Sequence, residues 1–319
     1  MGRFLLFRLA TLILTLLVVS LVVFWTMNAL PGDPAMVILG IDSTEDARQA
    51  LSRQLGLDRP FLERYADWLL GALGGDFGTS YSFGVPVADL ILERLPVSAP
   101  LALFATALTV LIALSLGVYA AARHGRAGDI GVMTLSQLGI AIPAFWLAII
   151  LVIVFAVNLR WLPAGGFPGW SDPLAALKAL VLPSVALALV QAAILTRVTR
   201  SSVLEVMRLD YTTTARAKGM GRGRVMRAHV LPNAMVPIVT IVGLQFANLV
   251  TGAIVIENVY YLPGLGRLIL QAITNRDLFV VQALVLFFAA VVVIVNFAVD
   301  MLYVAIDPRL RERRARSGP

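Results

Sequence analysis

Few side chains of this sequence could carry out chemistry on a bound substrate. The chain of 319 residues has no cysteine, two histidines and two lysines. A nucleotide-binding loop needs a Gly-Lys-Ser/Thr sequence whose amides and ammonium hold phosphates, and neither Lys178, in Leu-Lys-Ala, nor Lys218, in Ala-Lys-Gly, fits it. Without cysteine there is no thiol nucleophile and no thiolate metal site, and His124 and His229 stand alone. We therefore expect no catalytic residue, no metal site and no cofactor bound by this chain.

The remaining candidates are polar side chains that interrupt apolar stretches. Such residues are costly inside a membrane, so they need a hydrogen-bonding partner or a water-filled path. They are Gln137, Gln191, Gln245, Asn248, Thr251, Asn296 and Asp300. Gln245, Asn248 and Thr251 are spaced by three and share a stripe on one predicted helix. We interpret this stripe, with Gln191 and Asn296, as a candidate lining of a translocation path. Hydrogen bonding between helices is the alternative for each residue, as is closeness to the membrane surface for Asp300.

The elements that must position these residues are long apolar helices. With 59% hydrophobic and 14% charged residues and a mean hydropathy of +0.86, the sequence indicates a polytopic membrane protein. Runs near or above the roughly 20 residues that cross a bilayer are found at 9–30, 99–122, 131–157, 177–196, 234–256 and 278–306. The first is too long for the apolar part of a signal peptide, and no cleavage site follows it. Since backbone groups in lipid must be satisfied internally, we predict an all-α fold of six transmembrane helices, with tolerable kinks at Pro143, Pro183 and Pro237.

The arrangement of positive charge orients these helices. If the N-terminus lies in the cytoplasm, the cytoplasmic segments contain 17 of the 26 lysines and arginines, and the two short outer loops contain four. This distribution follows the positive-inside rule and explains the net charge of +7 without a nucleic acid partner. We divide the chain into the N-terminus and first helix (1–30), an extracytoplasmic loop with short helices (31–98), a five-helix core (99–306) with a cytoplasmic loop at 199–232, and a basic cytoplasmic tail (307–319).

The most polar part of the core is the segment 210–232, DYTTTARAKGMGRGRVMRAHVLP. Asp210 is a suitable N-cap residue, and the following residues to Lys218 predict a short helix. Gly219 can end it, because glycine adopts positive φ without steric cost. Residues 222–230 predict a second short helix before the next apolar run. This elbow could dock on a partner, or it could be a basic loop held in the cytoplasm by topology alone.

Two outer segments also carry patterns. A capping pattern at 43–46 precedes a helix predicted over 45–55. A second helix follows, and one of its faces is formed by Phe61, Tyr65, Trp68, Leu69 and Ala72. That face could lie on the membrane interface, where Trp and Tyr are favoured, or pack against neighbouring helices. The sequence GGDFGTS (74–80) predicts a flexible turn, and 257–277 predicts a tight Pro-Gly-Leu-Gly turn before a short apolar helix.

The segment 210–232 resembles the EAA loop of ABC-importer permeases, in which Glu-Ala-Ala, three residues, glycine, nine residues and Ile-x-Leu-Pro follow one another. The spacing is kept, with substitutions at the Glu, the first Ala and the Ile. The matching positions are Thr213, Thr214, Ala215, Gly219, His229, Leu231 and Pro232. The form Ala-Arg-Ala-Lys-Gly (215–219) is similar to the variant in the dipeptide, oligopeptide and nickel permeases. Further blocks in the order of that family extend the resemblance over nearly the whole chain. They are LPGDPA (30–35), LGLDRP (55–60), GGDFGTS (74–80), ERLP (93–96), WLPAGGF (161–167), LTRVTRSSVLEV (195–206), PGLGRL (263–268), NRD (275–277) and IDPR (306–309).

The resemblance implies the type I permease fold of ABC importers and the first, B-type, member of a pair of permeases. In that family the loop is a coupling helix that docks into a cytoplasmic ATPase. It assigns this contact to Asp210, Thr213, Thr214, Ala215, Ala217, Lys218, Gly219, His229, Leu231 and Pro232. We expect the small side chain of Ala215 to allow close approach to a partner groove. Outer loops of the family meet a substrate-binding protein, and the corresponding candidates here are Glu257, Pro263, Gly264 and Gly266. The alternative is that 257–277 is a re-entrant cap packed on its own helices.

We therefore expect a multi-pass permease of a bacterial or archaeal plasma membrane, with both termini cytoplasmic, that takes up dipeptides or oligopeptides. Its partners would be a second homologous permease in a heterodimer, two ATPase subunits that bind ATP and Mg, an extracytoplasmic substrate-binding protein and the lipid bilayer. The alternative is the same machinery carrying nickel chelates, glutathione or another small solute. A secondary transporter or an intramembrane enzyme fits less well, since no span carries a cluster of ionisable residues for ion coupling or a His–carboxylate pair.

Overall fold

The computed structural model describes residues 2–29, 36, 39, 40, 43–54, 56 and 58–306. In this part of the chain the regular structure is helical, apart from an isolated β-bridge between Thr79 and Pro86. The helices are α1 (Gly2–Ala29), α2 (Glu45–Gln54), α3 (Phe61–Leu73), α4 (Val87–Ala122), α5 (Ala127–Ala141), α6 (Ala144–Leu151), α7 (Pro173–Met207), α8 (Asp210–Ala217), α9 (Arg222–Val225), α10 (Leu231–Val259), α11 (Leu265–Thr274) and α12 (Leu278–Ile306). π-Helical turns follow α6 (Val152–Asn158) and α9 (Met226–Val230). The sequence block at 30–35 and the basic tail at 307–319 lie outside the described residues.

Among the described residues, five helices are long and apolar enough to cross a membrane, and the pair α5–α6 adds a sixth crossing if it forms one span. The predicted all-α membrane fold is therefore confirmed. Several helices extend beyond the apolar runs that predicted them: α4 begins at Val87 rather than 99, and α7 continues to Met207 rather than 196. An apolar run marks only the part of a helix that contacts hydrocarbon, and helix-forming residues continue beyond it.

The third predicted span, 131–157, is not one helix. α5 ends at Ala141, α6 begins at Ala144, and the two axes differ by 102°. Ile142 and Pro143 between them have extended backbones, with ψ angles of 123° and 137°. Proline disfavours the helical conformation of the residue before it and lacks the N–H that would continue the helix. The prediction of a kinked but continuous span was therefore wrong, because Pro143 stands at a complete break.

The chain divides into two compact units, the first comprising Met1–Val97 and Pro263–Ile294. In this unit the ring of Phe24 on α1 packs against the rings of Phe61, Tyr65 and Trp68 on α3, with centroids 5.3 to 5.5 Å apart. The aromatic face of α3 therefore packs against a neighbouring helix, which is the second of the two alternatives considered for it.

The loop between α3 and α4 is anchored within the same unit on the turn that precedes α12. The buried carboxylate of Asp277 accepts a hydrogen bond from the Ser80 hydroxyl at 2.5 Å. The Tyr81 hydroxyl accepts one from the Leu278 N–H at 2.8 Å, and burial raises the pKa of Tyr81 to about 12. The segment predicted as a flexible turn (74–80) is thus tied down at its last residue.

The second unit comprises Ser98–Leu262 and Val295–Pro319, and α7 lies at its centre. This helix packs against α5, α6 and α10. Near its C-terminal end it contributes to a hydrophobic core that also includes side chains of α4, α8, α9 and α10. The buried members of that core are Ala113, Ala121, Leu195, Val203, Val206, Ala215, Val225, Val230, Ala234 and Ile238. This core supports the polar elbow that follows α7.

Candidate functional site

The elbow begins with the short helix α8, which is separated by two residues from the end of α7 at Met207. The N-cap residue is Leu209, with an extended backbone and no side-chain capping bond. The prediction that Asp210 is the N-cap was therefore wrong, because the helix begins one residue earlier than predicted. Asp210 is instead the first helical residue, where its negative charge is still favoured by the helix dipole.

The end of α8 is built as predicted around Gly219. Its φ is +86°, in the left-handed region where a side chain is strained and glycine is not. The N–H of Gly219 donates to the Arg216 carbonyl at 2.9 Å, and the N–H of Met220 donates to the Ala215 carbonyl at 3.2 Å. These are the two hydrogen bonds of a Schellman motif, so the chain reverses direction directly after Lys218.

The second half of the elbow is not a separate helix. α9, the π-helical turn Met226–Val230 and α10 run on as one helical segment, Arg222–Val259. Pro232, near the start of α10, has no N–H to donate, and its ring crowds the carbonyl four residues earlier. A π-helical turn widens the helix locally and can absorb such a break in the hydrogen-bond ladder. The prediction of a short helix that stops at 230 was therefore wrong: the elbow continues directly into the membrane span.

One face of α8 is buried against its own chain. Thr212 is completely buried, and its hydroxyl lies 2.9 Å from the Met207 carbonyl and 2.7 Å from the Leu209 carbonyl. Ala215 is 8% exposed and belongs to the core beneath the elbow. The expectation that Ala215 allows close approach to a partner was therefore wrong, because its side chain faces the ends of α7 and α9.

The opposite face of α8 is exposed and polar. Of the residues predicted for the contact, Asp210, Thr213, Thr214, Ala217, Lys218, Gly219 and Pro232 are exposed, whereas His229 and Leu231 are half-buried. Tyr211, at 42% exposure, and Arg216 also lie on the exposed side. Neither was singled out in the sequence, although a helical period that buries Thr212 and Ala215 would have placed them outward.

The surroundings of α8 are positively charged. Exposed cations lie in the last turn of the helix and after it, at Arg216, Lys218, Arg222, Arg224 and Arg227. No group of three or more His, Asp or Glu side chains that could hold a metal ion occurs in the described part of the chain. The elbow therefore offers a surface of hydroxyl groups, one aromatic ring and cations. Such a surface can bind a partner but has no arrangement for acid–base or nucleophilic chemistry.

The candidate path residues are in unlike environments. Gln245 is buried, and its side-chain amide donates to the Gln191 carbonyl of α7 at 3.0 Å. Asn248 and Thr251 are exposed, and Asn296 is half-buried. Residues spaced by three on a helix drift by about 60° per step, so the stripe turns from the interface with α7 to the outside of the chain. Gln245 binds a neighbouring helix, while a role of the others in a path stays a prediction.

The four residues predicted to contact a binding protein also differ in exposure. The Glu257 side chain is completely buried, and one carboxylate oxygen accepts a hydrogen bond from the Ser98 hydroxyl at 2.5 Å. Gly264 and Gly266 are buried, and Pro263 is exposed. Pro263 alone of the four is at the surface of the chain, so a contact through the other three would require them to become accessible.

Comparison with known proteins places these features in a family. The model described as "Binding-protein-dependent transport system inner membrane component" matches residues 113–312, and the model of the N-terminal part of such components matches residues 1–102. A putative peptide transport system permease protein of Brucella abortus (strain 2308) is 43% identical over 305 residues, which are 95% of this chain and 97% of the relative. The glutathione transport system permease protein GsiC of Escherichia coli (strain K12) is 40% identical over 304 residues, again 95% and 97%.

Two further comparisons extend this result. A probable peptide ABC transporter permease protein of Sinorhizobium fredii (strain NBRC 101917 / NGR234) is 37% identical over 312 residues, 98% of this chain and all of the relative. Among solved structures, the MetNI methionine ABC transporter in an inward-facing conformation contains a chain that matches with a TM-score of 0.57. That match has 19% identity and covers 68% of this chain and 96% of that one, so it concerns the fold alone.

Proposed function

Because this chain belongs to the inner membrane components of binding-protein-dependent transport systems, the permeases of ABC importers, we propose that it carries peptides across the plasma membrane. The family consists of membrane transport components rather than enzymes. In this proposal ATP and Mg bind to partner ATPase subunits, and the chain itself forms part of the path through the membrane.

The proposal of peptides as the substrate depends on the names of relatives that match nearly the whole chain. Relatives at 43% and 37% identity are named as peptide permeases. A relative at 40% identity is named as a glutathione permease, and glutathione is itself a small peptide. Glutathione is therefore the second candidate substrate, within the same chemical class.

The elbow is the proposed contact with an ATPase. α8 has a buried face that fixes it to the end of α7 and an exposed face of Thr213, Thr214, Ala217 and Lys218. A short helix held in this way can transmit force from a bound partner to α7 and, through Arg222–Val259, to the span that continues as α10. We place the elbow and both termini in the cytoplasm. In this orientation most of the arginines lie on the cytoplasmic side, as the positive-inside rule requires.

The proposal includes the rest of the assembly. A second, homologous permease would complete the path as a heterodimer, two ATPases would bind the elbows, and a binding protein would deliver the peptide from outside. The exposed Pro263 is the candidate on this chain for contact with the binding protein.

Reconstitution of the complete assembly in proteoliposomes tests the function. We expect ATP-driven accumulation of a labelled tripeptide that requires the binding protein and is absent when this chain is omitted. Competition by unlabelled oligopeptide, glutathione and a nickel chelate ranks the substrate classes. Uptake driven by an ion gradient without ATP would identify a secondary transporter, and ATP hydrolysis by the purified chain alone would contradict the assignment of hydrolysis to the partners.

A further inference from the structure

A group of partly buried polar contacts on α7 lies outside the elbow. The Asp129 side chain, in the first turn of α5, is only 4% exposed. Its two oxygens accept hydrogen bonds from Nε of Arg200 at 2.5 Å and from Nη2 of Arg200 at 2.7 Å. The N–H of Gly125 donates to Oδ2 at 3.0 Å, and Nδ1 of His124 lies 3.2 Å from the same oxygen. One carboxylate thus joins the loop after α4, the start of α5 and the inside of α7.

The form of this ion pair makes it a rigid connection. A guanidinium that binds both oxygens of a carboxylate is restricted in angle as well as in distance. Because Asp129 is buried, separating the two groups would remove the guanidinium that neutralises its charge. The pair therefore resists a sliding of α5 past α7 at this level.

α4 is fixed to α7 at the same level by close packing of the backbone. Gly117 on α4 faces Thr199, the residue before Arg200. A Cβ atom on Gly117 would lie 2.6 Å from the Cβ of Thr199, which is closer than real side chains approach. The absence of a side chain at Gly117 thus lets the two helices touch. α4, α5 and α7 meet in one layer that contains Thr199 and Arg200.

This layer is directly connected to the elbow. From Arg200, α7 continues for seven residues to Met207, a distance of about 10 Å along the helix. The Met207 carbonyl accepts a hydrogen bond from the Thr212 hydroxyl of α8. A displacement of α8 therefore reaches the layer through two turns of helix, with no intervening loop except Arg208 and Leu209.

We propose that the Asp129–Arg200 ion pair joins α8 and the adjoining ends of α4, α5 and α7 into one rigid body, so that a movement of the elbow displaces three helices together. Asp129 and Arg200 are positioning residues in this scheme, since they act through the helices that they connect. The inference rests on the proposed function, because it assumes that an ATPase moves the elbow.

A distance measurement tests rigidity without altering the ion pair. The chain has no cysteine, so cysteines introduced at the exposed Arg126 and Thr214 would be its only labelling sites. With spin labels at both positions in the assembled transporter, we expect the same distance distribution without nucleotide and with ATP trapped. A label on the ATPase, paired with Thr214, verifies that nucleotide has changed the complex. A shift of the Arg126–Thr214 distance in that state overturns the proposal.

Variants test whether rigidity serves transport. Asp129→Asn keeps the shape and removes the charge, and we expect it to lower the amount of peptide transported per ATP hydrolysed by about tenfold, the size of a typical coupling between sites. Arg200→Lys keeps the charge but loses the two-point contact, so we expect an intermediate ratio and a broadened Arg126–Thr214 distance. Asp172→Asn is the matched control, because this carboxylate caps the opposite end of α7 through the Ala175 N–H.

The outcomes are distinguishable. An unchanged transport ratio in Asp129→Asn contradicts the inference, as does a ratio reduced equally by Asp172→Asn. If the Asp129→Asn variant fails to assemble, the distance between labels at Arg126 and Thr214 still tests the proposal. It is measured in the transporter with the unmodified ion pair and in the Arg200→Lys variant. If the wild-type assembly shows no ATP-driven transport, the proposed function fails, whereas the distance measurement still reports whether the layer is rigid.

Discussion

Replacing Gly219 by alanine probes the backbone geometry of the elbow without adding a clash. Gly219 has a φ of +86°, and a Cβ atom built there would meet nothing within 4 Å. The cost of the substitution is therefore purely conformational, about 1–2 kcal/mol for an L-residue in the left-handed region. Since about 1.4 kcal/mol corresponds to a factor of ten, the population of opened elbows should rise by roughly 5- to 30-fold.

Gly223→Ala is the matched control for this change. A Cβ atom on Gly223 would also meet nothing within 4 Å, but this residue lies inside α9 and is not among the glycines of positive φ. Alanine is favoured over glycine inside a helix by roughly 0.5–1 kcal/mol. The two variants add the same methyl group to the same elbow, with opposite expected effects.

Hydrogen exchange reports the difference directly. The amides of Gly219 and Met220 donate the two bonds that close α8, and their exchange rate follows the free energy of local opening. We expect these amides to exchange roughly 5- to 30-fold faster in Gly219→Ala and no faster than wild type in Gly223→Ala. Equal exchange in the two variants would refute the reasoning, because the left-handed turn would then contribute nothing to the elbow.

Three further predictions concern the contact of Thr212, the orientation of the chain and the burial of Tyr81. Thr212→Val removes the buried hydroxyl that binds the end of α7 and should destabilise the elbow by about 1–2 kcal/mol. The change at the exposed control position, Thr213→Val, should alter stability by less than about 0.5 kcal/mol. Thermal unfolding of both variants in the assembled complex measures the difference. A cysteine at Asp76 should react with an impermeant reagent in intact cells and one at Arg313 should not, and the reverse pattern would contradict the orientation. Burial raises the pKa of Tyr81 from 10.0 to about 12. The contribution of its neutral hydroxyl to stability is therefore complete below pH 10 and is lost as the pH rises through 12. Tyr81→Phe should remove this loss of stability at alkaline pH when unfolding is measured as a function of pH.

Much of the fold could be predicted because membrane helices are marked by long apolar runs. The left-handed end of α8 could be predicted as well, since Gly219 directly follows the short polar helix predicted to end at Lys218. The break at Pro143 could not, because proline produces either a kink or a complete stop depending on what its neighbours supply. The length of α7 beyond 196 was missed because its last turns are polar.

The internal arrangement of the elbow was harder to predict than its position. Thr212 and Ala215 are small and only weakly apolar, so the periodicity of α8 does not indicate which face is buried. Ala215 was consequently assigned to the outer surface. The contact between Asp129 and Arg200 joins residues 71 positions apart, and one sequence contains no signal that pairs these two among its many charged residues.

Photo-crosslinking from the exposed face of α8 tests the central claim most directly. A photoreactive amino acid replacing Tyr211, which is 42% exposed, should form an adduct with the ATPase subunit in the active transporter. The same probe replacing Tyr261, which is 67% exposed and precedes the Pro-Gly-Leu-Gly turn that is predicted to lie outside the cell, should not. An adduct between the Tyr211 position and the binding protein, or none with the ATPase while peptide is being transported, would contradict the assignment of the elbow as the coupling surface.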